Sequence, residues 1–288
     1  MFVAGAEISD DELKMFSELL EKTCGLSLGR EKAYLFDSRL SQLMFELECK
    51  SFSELYKAIK DPASPDILDR VIDLITTQET MWFRDAAHWR ELEETVIPEL
   101  AQRARKADRR FWIWSCACST GQEPYSLSML ATESSLLRTG AIGLGNDVCI
   151  IASDVSGAAI SIARKAKYGR LAMHRGNLGA TRKQKYFTQE GNTWTLQQDI
   201  SRLVQLRRFN LKDDMDTLGM FDLILCRNVL VYFSRDFRRT VLNNLAKVLR
   251  PGGYLFLGAS EGLYGDSDAF ELVEGKGCIY YRCAKERR

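Results

Sequence analysis

The sequence predicts an α/β sheet protein, preceded by a small all-helical domain and interrupted by a polar, β-rich insertion. Three observations carry this. Residues 1–75 place apolar side chains at helical spacing only; from residue 76 short apolar runs alternate with helical stretches; and about 168–201 breaks that rhythm with Lys, Arg and Gly.

Ser9-Asp10-Asp11-Glu12 reads as a capping box, followed by a stripe of Leu13, Phe16, Leu19 and Leu20 and a stop at Gly25. A second helix carries Phe36, Leu40, Leu43, Met44 and Leu47, and Ser51 with Glu54 repeats the capping box for a third. Asp61-Pro62-Ala63-Ser64-Pro65 breaks the chain before a fourth, with Ile67, Leu68, Val71, Leu74 and Ile75 inside. A linker is expected over about 76–90 and the sheet domain over 76–288. Phe111–Ala117 reads as a strand, Glu123–Thr132 as a helix, Cys149–Ala152 as a strand ending in Ser153-Asp154, and Ser156–Lys167 as a helix. Within the insertion only Thr193–Leu196 is strand-like. Then follow strands at Leu203–Phe209 and Phe221–Cys226, a helix over about Arg235–Leu249, and a turn at Pro251-Gly252-Gly253. Strand Tyr254–Leu257 and a closing hairpin of Ala269–Val273 with Cys278–Arg282 complete the series.

With 288 residues, 45% hydrophobic and 27% charged, the chain has material for a substantial core, which excludes disordered and fibrous classes. The balance of 40 basic against 39 acidic residues favours no polyanionic partner, so no nucleic acid is expected. Residues 1–75 nevertheless hold nine basic and fifteen acidic side chains, net −6, leaving +7 for the remainder. Met1–Ser9 lacks the basic and apolar regions of a leader, and no apolar run approaches the roughly 20 residues of a spanning helix, so a cytoplasmic chain without membrane insertion is expected. The eight cysteines form no C-x-x-C, and His88 and His174 lie far apart; small buried thiols are expected rather than a metal site or disulfides.

Three stretches carry candidate chemistry. In Trp112–Tyr125 an apolar strand runs through small residues and Gly121 into a helix marked by Pro124, so free backbone N–H groups are expected to face a nucleotide-like ligand. A tight turn without ligand is the alternative. Asp154, thirty-three residues past Gly121, closes the next strand, where a carboxylate suits two ribose hydroxyls; a helix N-cap before Ser156 is the equal alternative. In Phe221–Phe233 a buried strand ends in Arg227 and Asn228, with Tyr232 just beyond.

Taken together these stretches resemble the chemotaxis receptor methyltransferases, the CheR family, which use S-adenosylmethionine. Thr76–Asp85 is similar to the family's T-T-N-x-T-x-F-F-R-E, and S-T-G-Q-E-P-Y-S at 119–126, Ala152-Ser153-Asp154, Cys226-Arg227-Asn228-Val229, Tyr232-Phe233, Pro251-Gly252-Gly253 and Gly258-Ala259-Ser260-Glu261 continue the likeness. The resemblance implies a Rossmann-like methyltransferase domain with a β-subdomain, behind a helical N-terminal domain. It implies that Thr80, Arg84, Glu123, Asp154, Asn210, Arg227 and Asn228 line the cofactor site, with Gln78 where the family has Asn, and that Arg84 and Tyr232 flank the reacting methyl group.

The implied substrate is a glutamate side chain on a receptor's cytoplasmic helices. A carboxylate of pKa about 4.3 is already ionised, so no general base is required, and charge fades in the transition state, leaving the rate to alignment and water exclusion. A hydride-transferring enzyme would want a fuller G-x-G-x-x-G; a nucleic-acid methyltransferase for exocyclic amines would want N-P-P-Y where this chain has Asn228–Tyr232; a non-catalytic cofactor sensor stays open. The turn Thr188–Thr193 is short with one glycine, which resembles the class without a C-terminal pentapeptide tether. The second helix keeps Arg39, with Gln42, Leu43 and Phe45 nearby, so direct docking is assigned instead to Arg170, Arg175, Arg182, Lys183 and Lys185, a solvated basic face being the alternative. A monomer is expected.

Overall fold

The computed structural model describes residues 7–134 and 148–284; residues 1–6, part of the stretch inspected for a leader, lie outside it. Four helices open the chain: α1 (Asp10–Cys24), α2 (Ala33–Glu46), α3 (Phe52–Lys60) and α4 (Asp66–Ile75). The Ser9 box forms as expected, and Gly25 ends α1 at φ +78°, a conformation glycine adopts without Cβ penalty. At α3 only half the box forms: Ser51 accepts from Glu54 N–H, but Glu54 turns to Lys50 N–H at 2.7 Å. The four helices close over Phe16, Phe36 and Phe52, whose rings meet edge-on at 5.7 and 5.9 Å.

The expected linker contains the start of a helical stretch that sequence inspection passes over: α5 (Ala86–Glu91), a π-helical turn at Leu92–Val96, and α6 (Ile97–Lys106). The main sheet then builds from β1 (Phe111–Cys116), β2 (Val148–Asp154), β6 (Val204–Arg208), β7 (Phe221–Cys226), β8 (Leu249–Phe256), β9 (Phe270–Glu274) and β10 (Ile279–Cys283). Its order is β6-β2-β1-β7-β8-β10-β9; the first five run parallel and the closing hairpin antiparallel. Helices α7 (Gln122–Glu133), α8 (Gly157–Lys165) and α12 (Arg235–Val248) follow β1, β2 and β7 in sequence. Because β1 has β2 on one side and β7 on the other, the strand order reverses there, and the carboxyl ends at Cys116, Asp154 and Cys226 share the crevice where such sheets bind ligands. The expected turn at Pro251-Gly252-Gly253 is instead an irregularity inside β8: register slips opposite Phe221/Leu223, and a Cβ at Gly253 would lie 2.8 Å from Asp222 O.

The insertion holds two strands beyond the expected one. β3 (Lys167–Gly169), β4 (Phe187–Glu190) and β5 (Thr193–Leu196) form an antiparallel sheet in the order β3-β5-β4, joined by α9 (Arg170–His174) and α10 (Ala180–Tyr186), with α11 (Gln198–Ser201) leading back. β4 and β5 are linked by two residues, Gly191 and Asn192. This subdomain grips the strap at 76–85. Asn177 N–H donates to Trp82 O at 2.7 Å, the Asn177 amide donates to Phe83 O at 3.1 Å, and Gly176 lies so close that a Cβ would meet Trp82 O at 2.0 Å. Two of the five basic residues assigned to docking are committed internally: Arg175 pairs with Glu79 at 2.8 Å, and Arg182 grips Glu133 at 2.7 Å while covering the Phe83 ring.

The acidic helices meet the basic remainder across a polar seam. Asp69 pairs with Arg208, Asp73 accepts from Ser156 Oγ at 2.7 Å, Asn210 donates to Thr23 O at 2.6 Å, and Leu26 makes a β-bridge with Phe233. Arg39, the basic residue the second helix keeps, donates to Ile75 O at 2.9 Å and Thr76 O at 3.2 Å, capping α4. Among the described residues no helix is long and apolar enough to cross a membrane, and no three His, Cys, Asp or Glu side chains gather as a metal site would need.

Candidate active site

A cavity of about 350 Å³ opens above the carboxyl ends of β1, β2 and β7. The strap and residues of α1 and α2 cover it. All nine sequence-selected residues line it: Gln78, Thr80, Arg84, Glu123, Asp154, Asn210, Arg227, Asn228 and Tyr232.

Asp154 is buried, and both its oxygens are bonded: Oδ2 accepts Ser119 N–H at 2.8 Å and Oδ1 accepts Ser156 N–H at 2.9 Å. Burial pushes its pKa up, and these N–H groups oppose the rise. The cap of α8 is Ser156, whose Oγ accepts Ala159 N–H at 3.0 Å, so the N-cap alternative for Asp154 does not hold. Part of the β1–α7 loop departs from the expectation of free N–H groups. Cys118, Ser119 and Gly121 donate to Ser153 O, Asp154 and Cys118 O respectively, which leaves the loop to shape the cavity rather than bond through these amides.

Glu123, in the first turn of α7, accepts Ser115 Oγ–H and Arg227 Nη1, both at 2.8 Å. Burial raises its pKa and the Arg227 charge draws it back. Arg227, 2% exposed at its side chain, also donates through Nη2 to Arg84 O at 2.7 Å and Asp85 Oδ2 at 2.8 Å. It therefore ties β7, α7 and the strap together, and its Nε is buried without a partner.

On the strap, Gln78 donates to Thr76 Oγ1 at 2.9 Å, and Arg84 Nη1 donates to Glu79 O at 3.3 Å. Tyr232 is half-buried under Lys32, whose ammonium stands 5.5 Å from the ring centre. Five non-glycine residues beside the cavity sit at positive φ: Phe83, Asp85, Ala117, Ser119 and Asn228. Each such residue costs about 1 kcal/mol or more, and strain of this kind concentrates at functional sites.

Family models match nearly the whole chain: the CheR methyltransferase SAM-binding domain over residues 78–279, and the CheR methyltransferase all-alpha domain over residues 11–76. The chain belongs to the CheR family. Chemotaxis protein methyltransferase 1 of Pseudomonas aeruginosa is 42% identical over 94% of this chain and 97% of its own. Chemotaxis protein methyltransferase Cher2 of Pseudomonas putida is 40% identical over 93% and 97%, and chemotaxis protein methyltransferase 1 of Vibrio cholerae 40% over 96% and 98%. The cofactor is S-adenosylmethionine. The cavity fits such a group: the Asp154 carboxylate stands at a strand end, and Gln78 Oε1, Ser119 Oγ and Arg227 Nε are buried polar atoms with no protein partner. Sequence inspection gave no role to Asp85, Ser115 or Lys32 in this family site; only Asp85 lies in a stretch quoted for the resemblance.

Proposed function

We propose that this methyltransferase esterifies glutamate side chains on cytoplasmic helices of chemotaxis receptors, as a protein-glutamate O-methyltransferase acting in the cytoplasm as a monomer. The relatives' names supply the chemotactic setting. One observation carries the substrate class: among the described residues the cavity lining holds no histidine, and the three carboxylates in it are engaged, Glu123 by Ser115 and Arg227, Asp154 by two backbone amides, and Glu79 by Arg175. No group stands ready to take a proton. A nucleophile that arrives ionised, as a carboxylate does, needs none.

When bound, S-adenosylmethionine supplies an electrophilic methyl group. Asp154 and Gln78 are assigned to hold its polar groups, with Thr80, Glu123, Asn210, Arg227 and Asn228 completing the wall. Arg84 orients a carboxylate loosely: an Arg that gripped the attacking carboxylate tightly would stabilise the ground state more than a transition state in which charge disperses. Tyr232 shapes the channel and aligns the nucleophile, and the apolar side chains of the helical domain exclude water.

The two-residue hairpin between β4 and β5 supports the class without a pentapeptide tether. Docking then falls to Arg170, Lys183 and Lys185, since Arg175 and Arg182 are committed within the chain. Incubation with labelled cofactor and membranes holding the cognate receptor, followed by mass-spectrometric mapping, tests the reading. Base-labile label on receptor glutamates is expected, and label elsewhere or none at all would overturn it. Titration with the receptor's C-terminal pentapeptide is expected to give no binding, and micromolar affinity would refute the untethered assignment.

A further inference from the structure

Gly258-Ala259-Ser260-Glu261 carries part of the family resemblance but none of the roles it implies. In the structure Glu261 joins two loops. Its Oε2 accepts Asn228 N–H at 2.6 Å and Gly258 N–H at 2.8 Å, and its Oε1 accepts Val231 N–H at 3.3 Å. These three amides lie just past the ends of β7 and β8, beyond the sheet ladder that would otherwise bond them. Asn228 is held at φ +58°, and Leu230–Tyr232 turns immediately afterwards. The fit is close: a Cβ at Gly258 would lie 2.6 Å from Asn228 Nδ2 and 2.8 Å from Glu261 Oε2. Glu261 itself does not line the cavity.

We propose that Glu261 is a positioning residue: by bonding the amides of Asn228, Val231 and Gly258 it sets the loop from which Asn228 and Tyr232 reach the cavity, so it governs cofactor affinity and turnover while touching neither reactant. The inference rests on the proposed function for its turnover arm only. An ionised carboxylate is acceptor-only and bonds amides more strongly than a neutral group, whereas a glutamine offers one oxygen and turns an NH₂ toward an N–H. Glu261→Gln is therefore expected to speed hydrogen exchange at residues 228 and 231, to raise the Kd for S-adenosylhomocysteine about three- to ten-fold, and to lower kcat about ten-fold or more.

Asp266→Asn is the control. Asp266 is buried a few residues further along, paired with Arg235 at 3.1 Å and Arg238 at 2.5 Å on α12, away from the cavity. It is expected to lower Tm while leaving Kd and kcat at wild-type values. Wild-type exchange, Kd and kcat in Glu261→Gln would overturn the proposal, and so would an equal loss of kcat in Asp266→Asn. If the wild-type protein binds S-adenosylhomocysteine but methylates no glutamate, the proposed function fails while the exchange and affinity arms still decide the role of Glu261.

Discussion

Replacing Arg227 by Met removes a buried cation and leaves its partners in place. Glu123 and Asp85 would then lose the cation that stands 2.8 Å from each, and Arg84 O would keep only Trp89 Nε1 as a donor. Breaking a buried pair from one side costs about 3–5 kcal/mol. At roughly 2–4 °C per kcal/mol for a chain of this size, Tm is expected to fall by about 6–20 °C. Burial already raises the Glu123 pKa, and losing the opposing Arg227 charge would raise it further. The charge left behind, rather than the missing contacts, is the main penalty. Adding Glu123→Gln to Arg227→Met should therefore restore about 1–2 kcal/mol instead of compounding the loss. Differential scanning calorimetry of the two single variants and the double variant measures this, with S-adenosylhomocysteine titrations on the same samples. A Tm within 2 °C of wild type, together with a large loss of ligand affinity, would show that Arg227 acts on the ligand and not as the tie between β7, α7 and the strap.

Three further outcomes are expected. Asp154→Asn keeps the volume but loses the charge, so calorimetry should find S-adenosylhomocysteine bound roughly ten- to a hundred-fold more weakly (~1.5–3 kcal/mol); Asp154→Ala should also lower Tm by orphaning the Ser119 and Ser156 amides, and unchanged affinity in both would sink the assignment. Tyr232→Phe should reduce kcat more than it raises cofactor Kd, and the reverse split would make Tyr232 a binding residue. His88, buried against Phe256, has its pKa pushed down to about 4, so the unfolded chain takes up this proton near pH 6.5 while the folded one resists. Stability from this site is full above pH 6.5 and is lost as pH falls toward 4; His88→Phe should show a shallower decline of Tm over that window, and an equal slope would refute the account.

The parts of the fold set by local chemistry were legible. The Ser9 box, the Gly25 stop and the strands under Phe111–Cys116 and Phe221–Cys226 follow from capping and apolar runs, which neighbouring residues determine. What escaped depends on partners far along the chain. Nothing in the sequence ties Arg39 to the end of α4, and Arg182 reads as a docking residue until Glu133 is brought to it. β3 and β4 are too short and polar to announce themselves and exist by pairing with β5. The residues that line the cavity were picked out because the family motifs mark them, but positive φ at Phe83 or Ala117 leaves no trace in residue type, since nothing about a Phe or an Ala suggests a left-handed backbone. For the same reason the engagement of the Cys118, Ser119 and Gly121 amides was not legible: a glycine and small residues show that the chain turns, not which acceptors its N–H groups find.

Helix α2 belongs to two surfaces at once. Tyr34, Leu35 and Arg39 line the cavity, and Arg39 ties the helix to the end of α4, while Phe45 stands 63% exposed and takes no part in the lining. An α-helix with its side chains is only about 10–12 Å across, so a partner that touches Phe45 sits on the same short helix that walls the cavity. Free energy exchanged through so short a rigid lever is reciprocal: if a partner's grip shifts α2 against Ile75 and Thr76 and changes cofactor affinity by some factor, loading the cofactor changes the partner's affinity by that same factor. The enzyme's readiness and its hold on whatever it modifies would then be a single thermodynamic variable, readable from either side by measuring one binding constant at two concentrations of the other ligand.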